Sequence, residues 1–320
     1  MVNCKKPAHY EHGNSKQNVG FILQSIRAFC TEKEVITMYS KEAFIRDCVA
    51  IFAKTEGNTV EIPGVGSIVL FDEPLIGFAD AEDALFESYR QPEIIGTNFM
   101  SPKEWLPAAG TVVSFFLPFT EAVRRSNRAD RTDPSPEWLY GRIEGQAFIS
   151  RFTAGLKKML KERRTECCVP SLDERFGIRF EAAFTGEKPD FHADSRWSER
   201  HAAYACGLGT FSLSRGLISE KGIAGRYASL IVSETWPATV RDYTGVDDYC
   251  IKCGACARNC PAQAITVEHG KNNVLCKAQV DRMQEKYSPR YGCGKCQVNV
   301  PCEFRVPGKR PRAERAGKAP

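Results

Sequence analysis

Cys250-Ile-Lys-Cys253-Gly-Ala-Cys256-Ala-Arg-Asn-Cys260-Pro261 is the stretch on which the fold turns. Its C-x2-C-x2-C-x3-C-P spacing is that of bacterial 4Fe-4S ligation. Two-residue gaps let one tight loop present three thiolates to a single cubane. Gly254 lets the backbone approach, and Pro261 turns the chain away. Where two clusters lie together, the fourth Cys of such a run ligates the other cluster. Its partners follow downstream as Cys276, Cys293-Gly-Lys-Cys296 and Cys302. The expected ligand sets are therefore crossed: Cys250, Cys253, Cys256 and Cys302 for one cluster, Cys260, Cys276, Cys293 and Cys296 for the other. Zinc also takes C-x2-C pairs, but the unbroken run argues for iron. The second group departs from the usual pattern, because five residues, Gln297 to Pro301, separate Cys296 from Cys302 where three are usual.

A chain of 320 residues is long for one core and short for three. The expected organisation is an N-terminal α/β portion at 1–100, an α/β core at 101–240, a ferredoxin-like 4Fe-4S domain at 241–305 and a disordered basic tail at 306–320. The start, Met-Val-Asn-Cys-Lys-Lys, has no apolar stretch or twin-Arg leader, and no run reaches membrane-span length. A cytoplasmic protein without a membrane partner is expected. Fourteen cysteines in a reducing compartment point to metal ligation rather than disulfides. The net charge of +5 is modest, and much of it sits in Lys309, Arg310, Arg312, Arg315 and Lys318. That tail reads as solvated, with a nucleic-acid contact as the alternative.

Helical apolar spacing is expected at 17–31, 41–55 and 136–162, the last opening at a Pro suited to a first turn. Residues 59–71 read as two strands around a Pro-Gly turn, 80–92 as a surface helix, 102–107 as a loop and 110–118 as a buried strand. Cys30 and Cys48 fall on apolar helix faces, and the adjacent Cys167 and Cys168 point to opposite sides of a short strand, so all four are expected to be structural. No strand-linked G-x-G-x-x-G, Walker loop or G-x-S-x-G occurs, which leaves nicotinamide, nucleoside-triphosphate and serine-hydrolase chemistry without local support.

Residues 194–232 carry a more specific pattern. It runs Asp194-Ser-Arg-Trp-Ser-Glu-Arg-His-Ala-Ala-Tyr-Ala-Cys-Gly-Leu-Gly209, then Thr-Phe-Ser-Leu-Ser-Arg-Gly-Leu-Ile218, then Gly225-Arg-Tyr-Ala-Ser-Leu-Ile-Val232. Followed by the two cysteine groups, it resembles epoxyqueuosine reductases and the catalytic part of reductive dehalogenases, over roughly 102–302. The resemblance implies a nitroreductase-like α/β (α+β) domain holding a base-off cobalamin, and a small C-terminal ferredoxin-like domain with two 4Fe-4S clusters that feed it single electrons. It places Gly207, Leu208, Gly209, Thr210, Phe211 and Ser212 against the corrin, with a plain helix C-cap as the alternative for the glycine turn. It makes Asp194 the general acid and Glu199 the reserve, with capping of the following helix as the other role open to Asp194.

The implied partners are an external electron donor of ferredoxin or flavodoxin type and a small or nucleoside-like substrate. Against tRNA stands the end of the chain eighteen residues after Cys302, without a helical-repeat extension. Two further departures from the family are Gly209-Thr-Phe-Ser where Gly-Trp-Ile-Gly is usual, and Asp190-Phe-His192, which lacks the Gly of a cobalt-ligating D-x-H-x-x-G run. His192, His9, His12, His201 and His269 are expected to be surface or satisfied histidines. The second functional reading is a non-catalytic electron-transfer protein, for instance a reductive activator of a corrinoid enzyme.

Overall fold

A computed structural model describes residues 39–308. The helix expected at 17–31 with Cys30, together with His9, His12 and the charges from Lys309 onward, lies outside the described residues. Helix α1 (Lys41–Lys54) starts where Ser40 Oγ accepts from the Ala43 N–H at 3.2 Å, satisfying one first-turn donor. Phe44, Cys48 and Phe52 form its buried face. Strands β1 (Thr59–Ile62) and β2 (Gly66–Val69) pair around Pro63-Gly64.

Strand β3 (Leu75–Asp80) leads to α2 (Ala84–Ser88), far shorter than the surface helix expected at 80–92. Tyr89 ends it by turning into the core, where it packs edge-on against Phe86 and Phe99. Residues 102–107 are not simply a loop, since Pro102–Trp105 forms a turn of helix, α3. The Ser101 N–H donates to Glu104 Oε2 at 2.6 Å, one half of a capping box that the S-P-K-E spelling already carried.

Strand β4 (Thr111–Pro118) is buried along its whole length, as its apolar run requires of a strand covered on both faces. Helix α4 (Glu121–Arg128) follows, then α5 (Pro136–Glu162), capped by Ser135 Oγ accepting from the Trp138 N–H at 3.2 Å. The short β5 (Cys167–Cys168) precedes a hairpin, β6 (Ile178–Thr185) and β7 (Lys188–Ser195), that the sequence reading missed. Its period-two apolar pattern was present, but Phe180 and Phe184 point to solvent.

Helix α6 (Glu199–Ala205), the small pair β8 (Gly209–Phe211) and β9 (Leu217–Ser219), and β10 (Gly225–Val232) complete the core. The main sheet is antiparallel in the order β3-β4-β10-β5. Thus β3, from the expected N-terminal portion, hydrogen-bonds into the same sheet as β4. Phe148, Phe152 and Leu156 of α5 cover one face against Val113, Phe115 and Leu117. Each such side chain stabilises by about 1.5–3 kcal/mol when removed from water. Helix α6 covers the other face. Because β5 pairs only with Ile231 and Val232, no strand closes the Gly225–Leu230 side of β10 among the described residues.

The cysteine-rich segment supplies α7 (Ala255–Arg258), the bridge pair β11 (Ile265–Thr266) and β12 (Gly270–Lys271), and α8 (Asn273–Tyr287). The expected tail begins inside the fold, because Val306 is buried against this segment. The chain is a mixed α/β protein with this small C-terminal module.

Candidate functional site

The eight C-terminal cysteines fall into two quartets. Cys302 lies among Cys250, Cys253 and Cys256: burial pushes its thiol up to about 12, and those three add to the rise. Cys256 is pushed up to about 11, by burial and then by Cys250 and Cys253. The same holds for Cys296, raised to about 12 by burial, with Cys293, Cys276 and Cys260 adding and Lys271 opposing. Sulfurs that raise one another's pKa resist becoming thiolates unless a cation binds them. Iron relieves such repulsion by binding thiolate directly.

Local structure explains how distant cysteines meet. The Asn259 side chain donates to the carbonyls of Val298 at 3.0 Å and Asn299 at 3.1 Å. This folds the long Gln297–Pro301 spacer over the first motif, with Val298 and Val300 buried, so the extra residues are accommodated and Cys302 still reaches Cys250. The Cys302 carbonyl accepts from the Ile223 N–H at 2.9 Å. Cys276 sits in the first turn of α8, capped by Asn272 accepting from the Leu275 N–H at 3.0 Å. Cys260 Sγ accepts from the Ala264 N–H at 3.3 Å. Lys295, between Cys293 and Cys296, buries its ammonium against Asn127, donating to its carbonyl at 2.8 Å. Cys253 is the exposed member of the first quartet.

The Gly207-Leu208-Gly209 turn ends α6. Gly207 is left-handed (φ +76°), the Leu208 N–H donates to Ala203 O at 3.0 Å and the Gly207 N–H to Tyr204 O at 3.2 Å. This is a Schellman stop for α6. A Cβ on Gly209 would lie 1.9 Å from Ile218 O, so the chain's own backbone demands that glycine. Thr210 is fully buried and its Oγ1 accepts from the Tyr249 N–H at 2.8 Å, while the Phe211 N–H donates to Val246 O at 2.8 Å. Ser212 and Ser214 line a small cleft with Cys250, Cys253, Cys256, Cys296 and Cys302. The turn therefore carries the loop whose Ser212 lies beside the first quartet.

Asp194 ends β7 and is 1% exposed. Its Oδ1 accepts from the Asn98 N–H at 3.1 Å and its Oδ2 is paired with Arg179 at 3.3 Å. It does not cap α6; the residue at that position is Ser198, too far along the chain for Asp194 to reach the free amides. Glu199, the reserve acid, has the environment expected of an acid. Burial pushes its carboxyl up to about 7. Its Oε2 accepts from Ser229 Oγ at 2.6 Å, and that hydroxyl accepts from Trp197 Nε1 at 2.8 Å. Glu199 Oε1 is buried with no hydrogen-bond partner.

His201 is held neutral, its pKa lowered to about 3 by burial first, and its ring packs on Tyr89 and Phe211. His192 bonds the carbonyl of Ile95. Neither joins a cysteine quartet.

Comparison with known proteins matches residues 244–266 to the 4Fe-4S binding domain family. No curated protein matches the sequence. Among solved structures, an epoxyqueuosine reductase is 18% identical, over 83% of this chain and 67% of that one, with a TM-score of 0.47. The epoxyqueuosine reductase from Bacillus subtilis is 19% identical, over 82% and 65%, with a TM-score of 0.45. A catabolic reductive dehalogenase in complex with 3-bromo-4-hydroxybenzoic acid is 14% identical, over 83% and 37%, with a TM-score of 0.43. The chain thus spans about two thirds of the reductases' length and little more than a third of the dehalogenase. No helix among the described residues is long and apolar enough to cross a membrane. What the matched family and the cysteine geometry establish together is a mixed α/β protein that carries a 4Fe-4S binding module.

Proposed function

We propose that this protein is an iron-sulfur reductase that takes electrons from an external donor of ferredoxin or flavodoxin type and passes them through its 4Fe-4S clusters to reduce a small or nucleoside-like substrate. The supporting observation is the grouping of eight cysteines into two neighbouring quartets, one opening at the surface and one facing inward. When bound, the two 4Fe-4S clusters supply electrons one at a time. Exposed Cys253 puts the first quartet where a donor protein can approach. Cys296 of the second is close enough to Arg200, on the first turn of α6, to influence its guanidinium, which puts that quartet on the side of the molecule where Glu199 lies.

Reduction of an organic substrate needs protons as well as electrons. Glu199 supplies one: it keeps a proton near neutral pH because its carboxyl is walled off from water, and Trp197 and Ser229 hold the carboxyl in place. Asp194, engaged by Arg179 and Asn98, is a positioning residue that fixes the end of β7 ahead of α6. Cobalamin is the cofactor expected to relay these electrons to the substrate; Gly207, Leu208, Gly209, Thr210, Phe211 and Ser212 are the residues that would lie against it.

Iron and acid-labile sulfide analysis of anaerobically purified protein tests this reading. About eight of each are expected. Four would remove the second cluster, and with it the inward electron path. A protein with eight irons that passes electrons to partner proteins but reduces no small molecule would instead favour the electron-transfer reading.

A further inference from the structure

The two edges of the β6-β7 ribbon are finished differently. Along β7, the Pro189 and Phe191 carbonyls accept from the side-chain amides of Asn272 and Asn273, each at 2.9 Å, and Asp190 Oδ1 accepts from the Asn273 N–H at 2.6 Å. The inner face is fixed as well, since His192 bonds the Ile95 carbonyl and Asp194 accepts from the Asn98 N–H. Along β6, no strand pairs with the outer edge among the described residues. Phe184 and Ala182 stand opposite Pro189 and Phe191 in the register, so they too turn their backbone groups away from the ribbon, and by alternation Phe180 and Ile178 do the same. The eight residues of β6 hold unbroken register, and no Pro or bulge blunts that edge.

The outward face of the ribbon is apolar. Ile178, Phe180 and Phe184 are 47%, 68% and 73% exposed, and Ala182, Pro189 and Ala193 are exposed among them. These three large side chains alone leave roughly 350 Å² of apolar surface in water, enough to mark an interaction site. The charges on β6 narrow the choice of partner. Glu181 is exposed and forms no ion pair among the described residues, while the Arg179 side chain stays 62% exposed beside Asp194. Charged side chains on an edge deter an arbitrary strand, so the strand that fits must answer both of them.

We infer that β6 is a dimerisation edge, pairing antiparallel with β6 of a second copy about a two-fold axis at Phe180, so that the two ribbons form one four-stranded sheet. In that register Arg179 stands opposite the partner's Glu181, and Glu181 opposite the partner's Arg179, giving two ion pairs. Phe180 lies beside the partner's Phe180 and Phe184 beside the partner's Phe176, which takes part of the apolar surface out of water. Phe176 is exposed just before the strand. The neighbouring registers are worse. An axis at Glu181 sets two glutamates against each other, and an axis at Ala182 leaves both charges opposite Ala183 and Thr185. The strand is thus complementary to itself in one register, and its rigid attachment through β7 means that no part of the ribbon must be ordered on pairing.

Sedimentation of the full-length, cluster-loaded protein under anaerobic conditions, over a range of concentrations, tests the pairing. A dimer that dissociates on dilution is expected. Phe180→Asp sets two carboxylates against each other on the axis, and Glu181→Arg turns both ion pairs into like-charge pairs. Each should raise the dissociation constant at least about tenfold, with iron content and melting temperature unchanged, because both side chains are exposed. A wild-type protein that stays monomeric at every concentration overturns the inference, and so does a dimer that neither variant weakens, since it would form through another surface. Association abolished by Phe180→Asp but untouched by Glu181→Arg also overturns it, because that is apolar adhesion without the strand register. A dimer that weakens as expected but turns over no substrate would fail the reductase reading and leave the pairing standing.

Discussion

Glu303, one residue after Cys302 and 2% exposed, accepts from Arg128 Nε on both carboxylate oxygens at 3.0 Å, and Oε2 also accepts from the Asn299 N–H at 2.8 Å. This pair ties the last cysteine of the first quartet to α4 of the α/β core. Glu303→Gln keeps the shape and removes the charge, leaving Arg128 with Glu121 alone. A loss of about 1–3 kcal/mol is expected, with faster iron release from the first quartet. Chelator challenge followed by absorbance measures it, and wild-type release kinetics would show that the clamp is not needed.

Cys302→Ser should damage the cluster of Cys250, Cys253 and Cys256, while Cys260→Ser should damage that of Cys276, Cys293 and Cys296. Electron paramagnetic resonance of the reduced variants separates the two signals. Each substitution acting on the opposite cluster would mean uncrossed ligation.

Glu199→Gln should lower turnover about a hundredfold or more while iron content stays unchanged. Wild-type turnover should decline above about pH 7, where the acid loses its proton. The stability consequence has a definite sign. The folded pKa is raised, so the folded state holds the proton more tightly than the unfolded chain. That advantage is present below the unfolded value and is lost as pH rises through about 7. Wild type should therefore lose up to about 3 kcal/mol relative to Glu199→Gln between these limits. Parallel pH-stability curves for the two proteins would rule the shift out.

Asp194→Asn removes the charge that pairs with Arg179 and weakens the hold on the Asn98 amide. A loss of about 1–3 kcal/mol is expected, with turnover lowered far less than by Glu199→Gln. Thermal melts and steady-state rates on the same preparation check both. A hundredfold loss of turnover at unchanged stability would return the acid role to Asp194.

Much of the architecture could be read along the chain because short-range geometry dictates it. The fully apolar spelling of β4 needed two covered faces, Ser135-Pro136 announced the start of α5, and the C-x2-C-x2-C-x3-C-P run needed one tight loop. Cys302 lies near Cys250, Cys253 and Cys256, and Cys296 near Cys260, Cys276 and Cys293, across a long Gln297–Pro301 spacer that Asn259 folds. The β6-β7 hairpin escaped because its large apolar side chains face solvent, against the rule that reads alternation as burial.

What the sequence by itself determined was the set of local elements and the iron-binding run, since both rest on residues within a few positions of each other. Only the tertiary structure decided what those elements face. Gly207 serves as a helix stop because its amide finds Tyr204, and Gly209 is required because Ile218 of β9 crosses it. Ser229 and Trp197 enclose the Glu199 carboxyl, whereas Arg179 pairs with Asp194 five residues earlier. Burial, ion pairing and charge repulsion act through space, and only the packed sheet, with the side of β10 left open, sets those distances.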